Sequence, residues 1–198
     1  MKILPAAIAV ILAAPASALA ADPPAWDIDT GHAHAQFKVR HMMVANVRGE
    51  LGPVSGTIWL DEKDVTKSRV EASIDATKID TNDAKRDEHL RSPDFLDTAK
   101  FPKVTFKSTS VKKVAGGGLK VAGELTMHGN TRAVTLDVDP LPNAINDPWG
   151  NTKRGASART KLSRKDFGLK FDTPLAAGGV MVGDEVIVDL DLELVKKK

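Results

Sequence analysis

The chain has 198 residues, with 28 Lys and Arg against 26 Asp and Glu, a formal net charge of +2 and 0 Cys. Disulfide frameworks, thiol redox chemistry and cysteine-ligated metal sites are thereby excluded. The near-balance of charge, with no basic stripe and no interleaved aromatic residues, excludes the pattern of a nucleic-acid binder.

Residues 1–20 read as a secretory signal peptide: Lys2 supplies the positive start, Ile3 to Ala14 an apolar h-region, and Ala18-Leu19-Ala20 a small-residue cleavage site, with cleavage after Ala21 as the second choice. This predicts an exported protein, in a bacterial periplasm or released beyond it. Nothing later approaches the roughly 20 apolar residues of a membrane-spanning helix, so a soluble mature protein is expected. Its residues, about 175 of them, suffice for one domain held by a hydrophobic core.

After residue 25 apolar and polar residues alternate with a period of two, the pattern of strands with one buried face. Trp26 to Asp29 reads as a short first strand. Ala35, Phe37, Val39 and His41 then share one face, followed by Val54, Gly56, Ile58 and Leu60, and by Val70, Ala72, Ile74 and Ala76. The rhythm stops from Arg86 to Phe106. There Thr81 or Asn82 is expected to cap a short helix, Asp83 to meet its positive end, and Pro93 to stop it soon after Leu90. That helix has almost no apolar face and must be held from outside. Leu90, Phe95, Leu96 and Phe101 form an apolar cluster placed to plug one end of a barrel.

Strands resume at Val104, Phe106 and Ser108, at Leu119 to Met127, at Val134, Leu136 and Val138, at Ala156 to Leu162, and at Val186 to Leu194. Glycines at 116–118 and Gly129-Asn130 mark turns, and the proline-rich span Leu141 to Lys153 reads as a loop over an opening. A compact corner around Arg164 to Gly168 and a loop with Pro174 and Gly178-Gly179 precede the last strand. The expected fold is all-β: a single antiparallel barrel of about eight strands, with one short helix after the fourth main strand.

Barrels of this size are filled by side chains or hold one small ligand. Several inward positions are small, namely Ala35, Gly56, Ala72, Ala76, Gly123, Ala156 and Ala158, and they face Phe37, Phe106, Leu125 and Met127. Such a wall leaves an apolar tunnel, or else marks places where strands pack closely. His32 and His34, two residues apart, project from one face if they lie on a strand and would offer a fragment of a metal site. Strand parity sets His41 on the other face. A nucleophile elbow and a phosphate loop are both missing from the sequence. Lys196 to Lys198 reads as a solvated tail with a weak attraction for an anionic membrane surface.

The central block Arg86-Asp87-Glu88-His89-Leu90-Arg91-Ser92-Pro93-Asp94-Phe95, followed by Phe101-Pro102 and Phe106-Lys107-Ser108, resembles the signature of the YceI-like family of lipocalin-like proteins. Asp29, His32, Phe37, Val39 and His41 are similar to its N-terminal motif, with Ala33 where the family has Ser. Gly123 to Gly129, Leu162 to Gly168 and Val182 to Val186 are similar to later motifs, in family order. The resemblance implies that residues 21–198 form a domain that binds a polyisoprenoid or another long-chain apolar molecule, isoprenoid quinones among them. It also implies homodimers.

On that footing the expected function is binding, transport or storage of a long-chain isoprenoid lipid, with that lipid as ligand, no cofactor and no catalysis. Phe37, Val39, Ile58, Ile74, Phe106, Leu125 and Met127 are expected to line the tunnel, and His41, Arg86 and His89 to stand near the polar head. A metal-dependent protein using His32 and His34, and a filled barrel acting as an interaction module, are the alternatives.

Overall fold

The structure, a computed structural model, describes residues 22–176 and 178–198; the expected signal peptide lies outside the described residues. Eleven strands and one α-helix follow in order: β1 Ala25–Ile28, β2 His34–His41, β3 Ala45–Glu50, β4 Val54–Trp59, β5 Arg69–Asp75, α1 Ala84–Arg91, β6 Lys103–Lys113, β7 Leu119–Met127, β8 Asn130–Val138, β9 Ile145–Asn146, β10 Thr152–Ser163 and β11 Val182–Lys196. All pairings between these strands are antiparallel. β11 pairs with β1, β2 and β10, and the circuit runs from β1 through β4, β5, β6, β7, β8 and β10 back to β11.

β1 and β2 lie end to end along β11, and β3 and β4 end to end along β2 and β1, so the wall is a closed lipocalin-like barrel of eight staves. The first double stave is broken at Thr30–His32, a 3-10 turn whose cap Asp29 accepts a hydrogen bond from the Gly31 N–H at 3.1 Å. The second is kinked at Gly52, where φ is +134° and a Cβ would stand 2.1 Å from the Asp75 carbonyl oxygen, so only glycine fits. Periodicity missed β3 because Val47 is its one large apolar residue. Pairing with β2 recruits it despite that.

The helix is capped by Asp83 itself, rather than by Thr81 or Asn82: the Asp83 carboxylate accepts from the Lys85 and Arg86 N–H groups, each at 3.1 Å. Asn82 instead holds a left-handed backbone with φ of 59°. Thr81 is buried and gives both its N–H and its hydroxyl to the buried Asp87, at 2.9 and 2.6 Å. The segment is thus tied from outside, as its lack of an apolar face requires. Leu90, Phe95 and Leu96 pack into the core beside Phe37, Val104 and Met127. Phe101 stands apart from that cluster, against the ring of His128 with centroids 5.1 Å apart.

Alternation holds along β6 only as far as Ser108. A register shift between Ser108 and Ser110 then turns Val111 inward, and the Ser108 hydroxyl accepts the Val70 N–H at 2.8 Å. The terminal lysines are less of a free tail than expected. β11 runs through Lys196, whose ammonium lies 5.6 Å from the centroid of the buried Trp26 ring, and Lys197 pairs with Asp27 at 3.0 Å.

Candidate functional site

Inward side chains from all around the barrel leave a cavity of about 240 Å³. Its walls are almost wholly apolar; Ser68, Ser73, Thr105, Thr160 and Arg164 are the lining residues with polar side chains. Leu90, Phe95, Leu96 and Leu169 close the end beside the helix, and Leu60, Val111, Leu119 and Leu141 the other. From Val104 to Val111 both ends meet one strand, so the cavity runs on the order of 20 Å at about 3.3 Å per residue. A slender apolar chain matches that shape.

Phe37, Val39, Ile58, Ile74, Phe106, Leu125 and Met127 all line the cavity, as strand parity predicted; His41, Arg86 and His89 do not. His41 ends β2 and pairs there with Ala45 and Val182. Arg86 is turned back to bind Thr81, its Nε to the hydroxyl at 2.7 Å and its terminal nitrogen to the carbonyl at 2.8 Å. His89 lies 3.0 Å from Asp94 and edge-on to Phe95 and Phe171, with centroids 4.9 and 5.1 Å away. All three stand outside the cavity lining.

The small residues divide between the two meanings weighed for them. Ala72, Ala156 and Ala158 line the cavity and leave room. Gly56 and Gly123 permit close packing instead: a Cβ on Gly56 would lie 2.3 Å from the Glu71 carbonyl oxygen, and one on Gly123 would lie 2.5 Å from the Phe106 ring. The alternative of a filled barrel is not what the interior presents.

Sequence reading passed over Arg164 as a site residue. It is 4% exposed and lies at the cavity's helix end, where its Nε donates to the Gly183 carbonyl at 2.9 Å and a terminal nitrogen to the Val182 carbonyl at 3.0 Å. The other terminal nitrogen donates to the Leu169 carbonyl. Its charge is used to fasten the corner Arg164–Phe167 to the start of β11 rather than to face the cavity. Only its place in the C-terminal motif signalled it.

His32 and His34 do not share a strand face, because His32 belongs to the 3-10 turn after Asp29. The His32 ring lies 3.1 Å from Asp29, and the His34 ring 3.6 Å from Glu50. Among the described residues the one cluster with metal-ligand spacing is Asp29, His32 and Glu193. The Lys153 ammonium already sits within it, bonded to Glu193 and 3.7 Å from Asp29, and supplies the positive charge that three such ligands would otherwise seek. The cluster is an ion-pair network binding the β1 break to β10 and β11.

The carboxyls of Asp27, Asp29 and Asp75 are held below the usual carboxylate range, chiefly by hydrogen bonds from Thr57, His32 and Thr77. Such groups stabilise the fold above their unfolded value, near 3.9, and lose that contribution as pH falls through the lower folded one. Lys153 is raised, chiefly by its bond to Glu193, so its contribution is present below about 10.4 and lost only as pH rises through its folded value. Thermal midpoints are therefore expected to be level from about pH 5 to 9 and to fall below about pH 4. The groups are partly exposed to solvent, so the decline is gradual. Scanning fluorimetry checks this; a midpoint that rises on acidification to pH 3 contradicts it.

Residues 26–194 match the family described as YceI-like domain. A UPF0312 protein of Vibrio parahaemolyticus is 38% identical over 189 residues, 94% of this chain and 93% of its own length. Protein YceI of Escherichia coli is 42% identical over 158 residues, covering 79% and 80%. Among solved structures, BcnA of Burkholderia cenocepacia superimposes with a TM-score of 0.72 at 20% identity, over 84% of this chain and 98% of that one. A polyisoprenoid binding domain of Saccharophagus degradans does so with a TM-score of 0.64 at 16% identity, over 88% and 99%. At those identities the structural likeness speaks for the fold.

Proposed function

Because the chain belongs to the YceI-like domain family, we propose that it binds and carries a long-chain apolar lipid of the polyisoprenoid or isoprenoid-quinone type, in the periplasm and without catalysis. The observation that carries this reading is the continuous apolar cavity from the helix end to Leu141, left open by Ala72, Ala156 and Ala158. A distant relative is itself described as a polyisoprenoid binding domain. Each methylene moved from water is worth about 0.8 kcal/mol, so ten buried carbons supply roughly 8 kcal/mol before ordering costs. No reacting group is needed to hold such a ligand.

Phe37, Val39, Ile58, Ile74, Phe106, Leu125 and Met127 are the chain-binding residues in this reading. Among the described residues no helix is long and apolar enough to cross a membrane, so the lipid would be taken up by a carrier lacking a helical anchor in that part of the chain. Native mass spectrometry of the protein purified from a bacterial host, followed by solvent extraction, tests the proposal. A stoichiometric prenyl lipid is the expected result. A protein that emerges empty and rejects added polyprenyl lipids would overturn it.

A further inference from the structure

The barrel wall is not closed equally all round. Nine residue pairs join β7 to β8 and eleven join β10 to β11, but β8 and β10 share two, Val138 with Ala158 and Asp137 with Arg159. A backbone bond from the Asp139 N–H to the Ser157 carbonyl at 3.0 Å extends this short seam toward β9. In the other direction the strands part. There side chains span the gap: the Thr160 hydroxyl donates to the Thr135 carbonyl at 2.9 Å, and the Asn130 amide to the Phe167 carbonyl, in the corner after β10, at 2.9 Å.

A cleft of about 450 Å³ occupies the gap. Thr135 and Lys161, on the outer face, line it together with Val134, Thr160 and Leu162, and those three also line the apolar cavity. Val134, Thr160 and Leu162 thus stand between the cleft outside and the cavity inside. Val134 and Leu162 are half-buried and pack against the core.

We infer that this cleft is the head-group site of the chain held in the cavity, with the chain passing inward between Val134 and Leu162. The inference rests on the carrier reading above. A cavity so poor in polar partners forces the head of any amphiphile outside it. The residues expected for that task, His41, Arg86 and His89, do not line the cavity, whereas the cleft shares Val134, Thr160 and Leu162 with its lining.

The cleft also indicates what kind of head fits. Arg159 is paired with Asp189, Lys161 with Glu185 at 3.3 Å, and Asp137 with Lys120. Arg132 differs: among the described residues its guanidinium has one hydrogen-bond partner, the neighbouring Thr131 carbonyl at 2.8 Å, and its other N–H groups are spare. Spare guanidinium donors suit a paired-oxygen anion. Asp166 in the same cleft opposes a multiply charged head, so the class is a single negative charge carried on oxygen, as in a carboxylate.

Calorimetric titration with geranylgeranoic acid, geranylgeraniol and geranylgeranyl diphosphate, which share a chain and differ in head, tests this. The acid is expected to bind about 10-fold more tightly than either of the others. Arg132→Ala should cost the acid about 10-fold and the alcohol less than about 2-fold, with Arg132→Lys recovering part of the loss. In a protein with no native cysteine, a bimane label on Thr135→Cys should shift its emission when the acid binds. Equal binding of the acid to wild type and Arg132→Ala, with a silent label, overturns the head-group site while leaving the chain in the cavity. If wild type binds none of the three, the carrier reading itself fails and this site with it.

Discussion

Replacing Arg164 with alanine is expected to destabilise the protein by about 3–5 kcal/mol. The side chain is 4% exposed and its donors serve the carbonyls of Leu169, Val182 and Gly183. Truncation removes one buried charge but leaves three carbonyl acceptors without their donor, that of the buried Leu169 among them, while Asp172 keeps its bond from Lys165 at 3.0 Å. In a domain of this size roughly 2–4 °C of midpoint accompanies each kcal/mol, so a fall on the order of 6–20 °C should be seen on thermal unfolding. Arg164→Lys keeps the charge but cannot reach three divergent carbonyls, and should fall between the two. A loss under about 1 kcal/mol for the alanine variant would show that water replaces the guanidinium without cost.

Filling the cavity has the opposite profile. Ala72→Leu combined with Ala156→Leu places six additional carbons in space that no side chain now occupies, so stability should change by less than about 1.5 kcal/mol. Affinity for a prenyl chain should fall about 10- to 200-fold, the range associated with a methylene-scale misfit in an apolar pocket. Gly123→Leu provides the contrast, since its first carbon already meets the Phe106 ring at 2.5 Å and the Lys107 carbonyl oxygen at 2.5 Å, and it should destabilise the barrel strongly. Denaturant unfolding and ligand titration of the same variants separate the two effects. If the Ala72 and Ala156 pair costs more than about 3 kcal/mol, the interior is already packed and the carrier reading loses its main support.

The wall of that cavity was legible because the strands are half-buried. Period-two alternation in β2, β4, β5, β6 and β7 fixes which residues face inward, and seven of the ten expected ligand residues line the cavity for that reason alone. The three that do not, His41, Arg86 and His89, lie at a strand end or on the helix. Strand parity says nothing about a helix, and α1 has too few apolar residues for a period of its own. Arg86 is spent on Thr81 and His89 on Asp94, partners a few residues away that capture both side chains before any ligand is considered. His32 fails the condition set for it for a related reason: one 3-10 turn between β1 and β2 removes it from the strand face that a two-residue spacing requires.

By itself, the sequence determined the all-β class, the inward face of most strands, the position of the helical interruption and the family resemblance, because each depends on local periodicity or a contiguous motif. Tertiary structure alone decided the rest. It recruited β3 through its pairing with β2, divided the small residues between open space at Ala72 and Ala156 and tight contact at Gly56 and Gly123, and directed Arg164 to carbonyls far along the chain. It also left β8 and β10 joined by two pairs, with a cleft between them that shares three lining residues with the apolar cavity. These outcomes depend on how strands distant in sequence converge when the barrel closes, and periodicity along one strand carries no information about the neighbour it will meet.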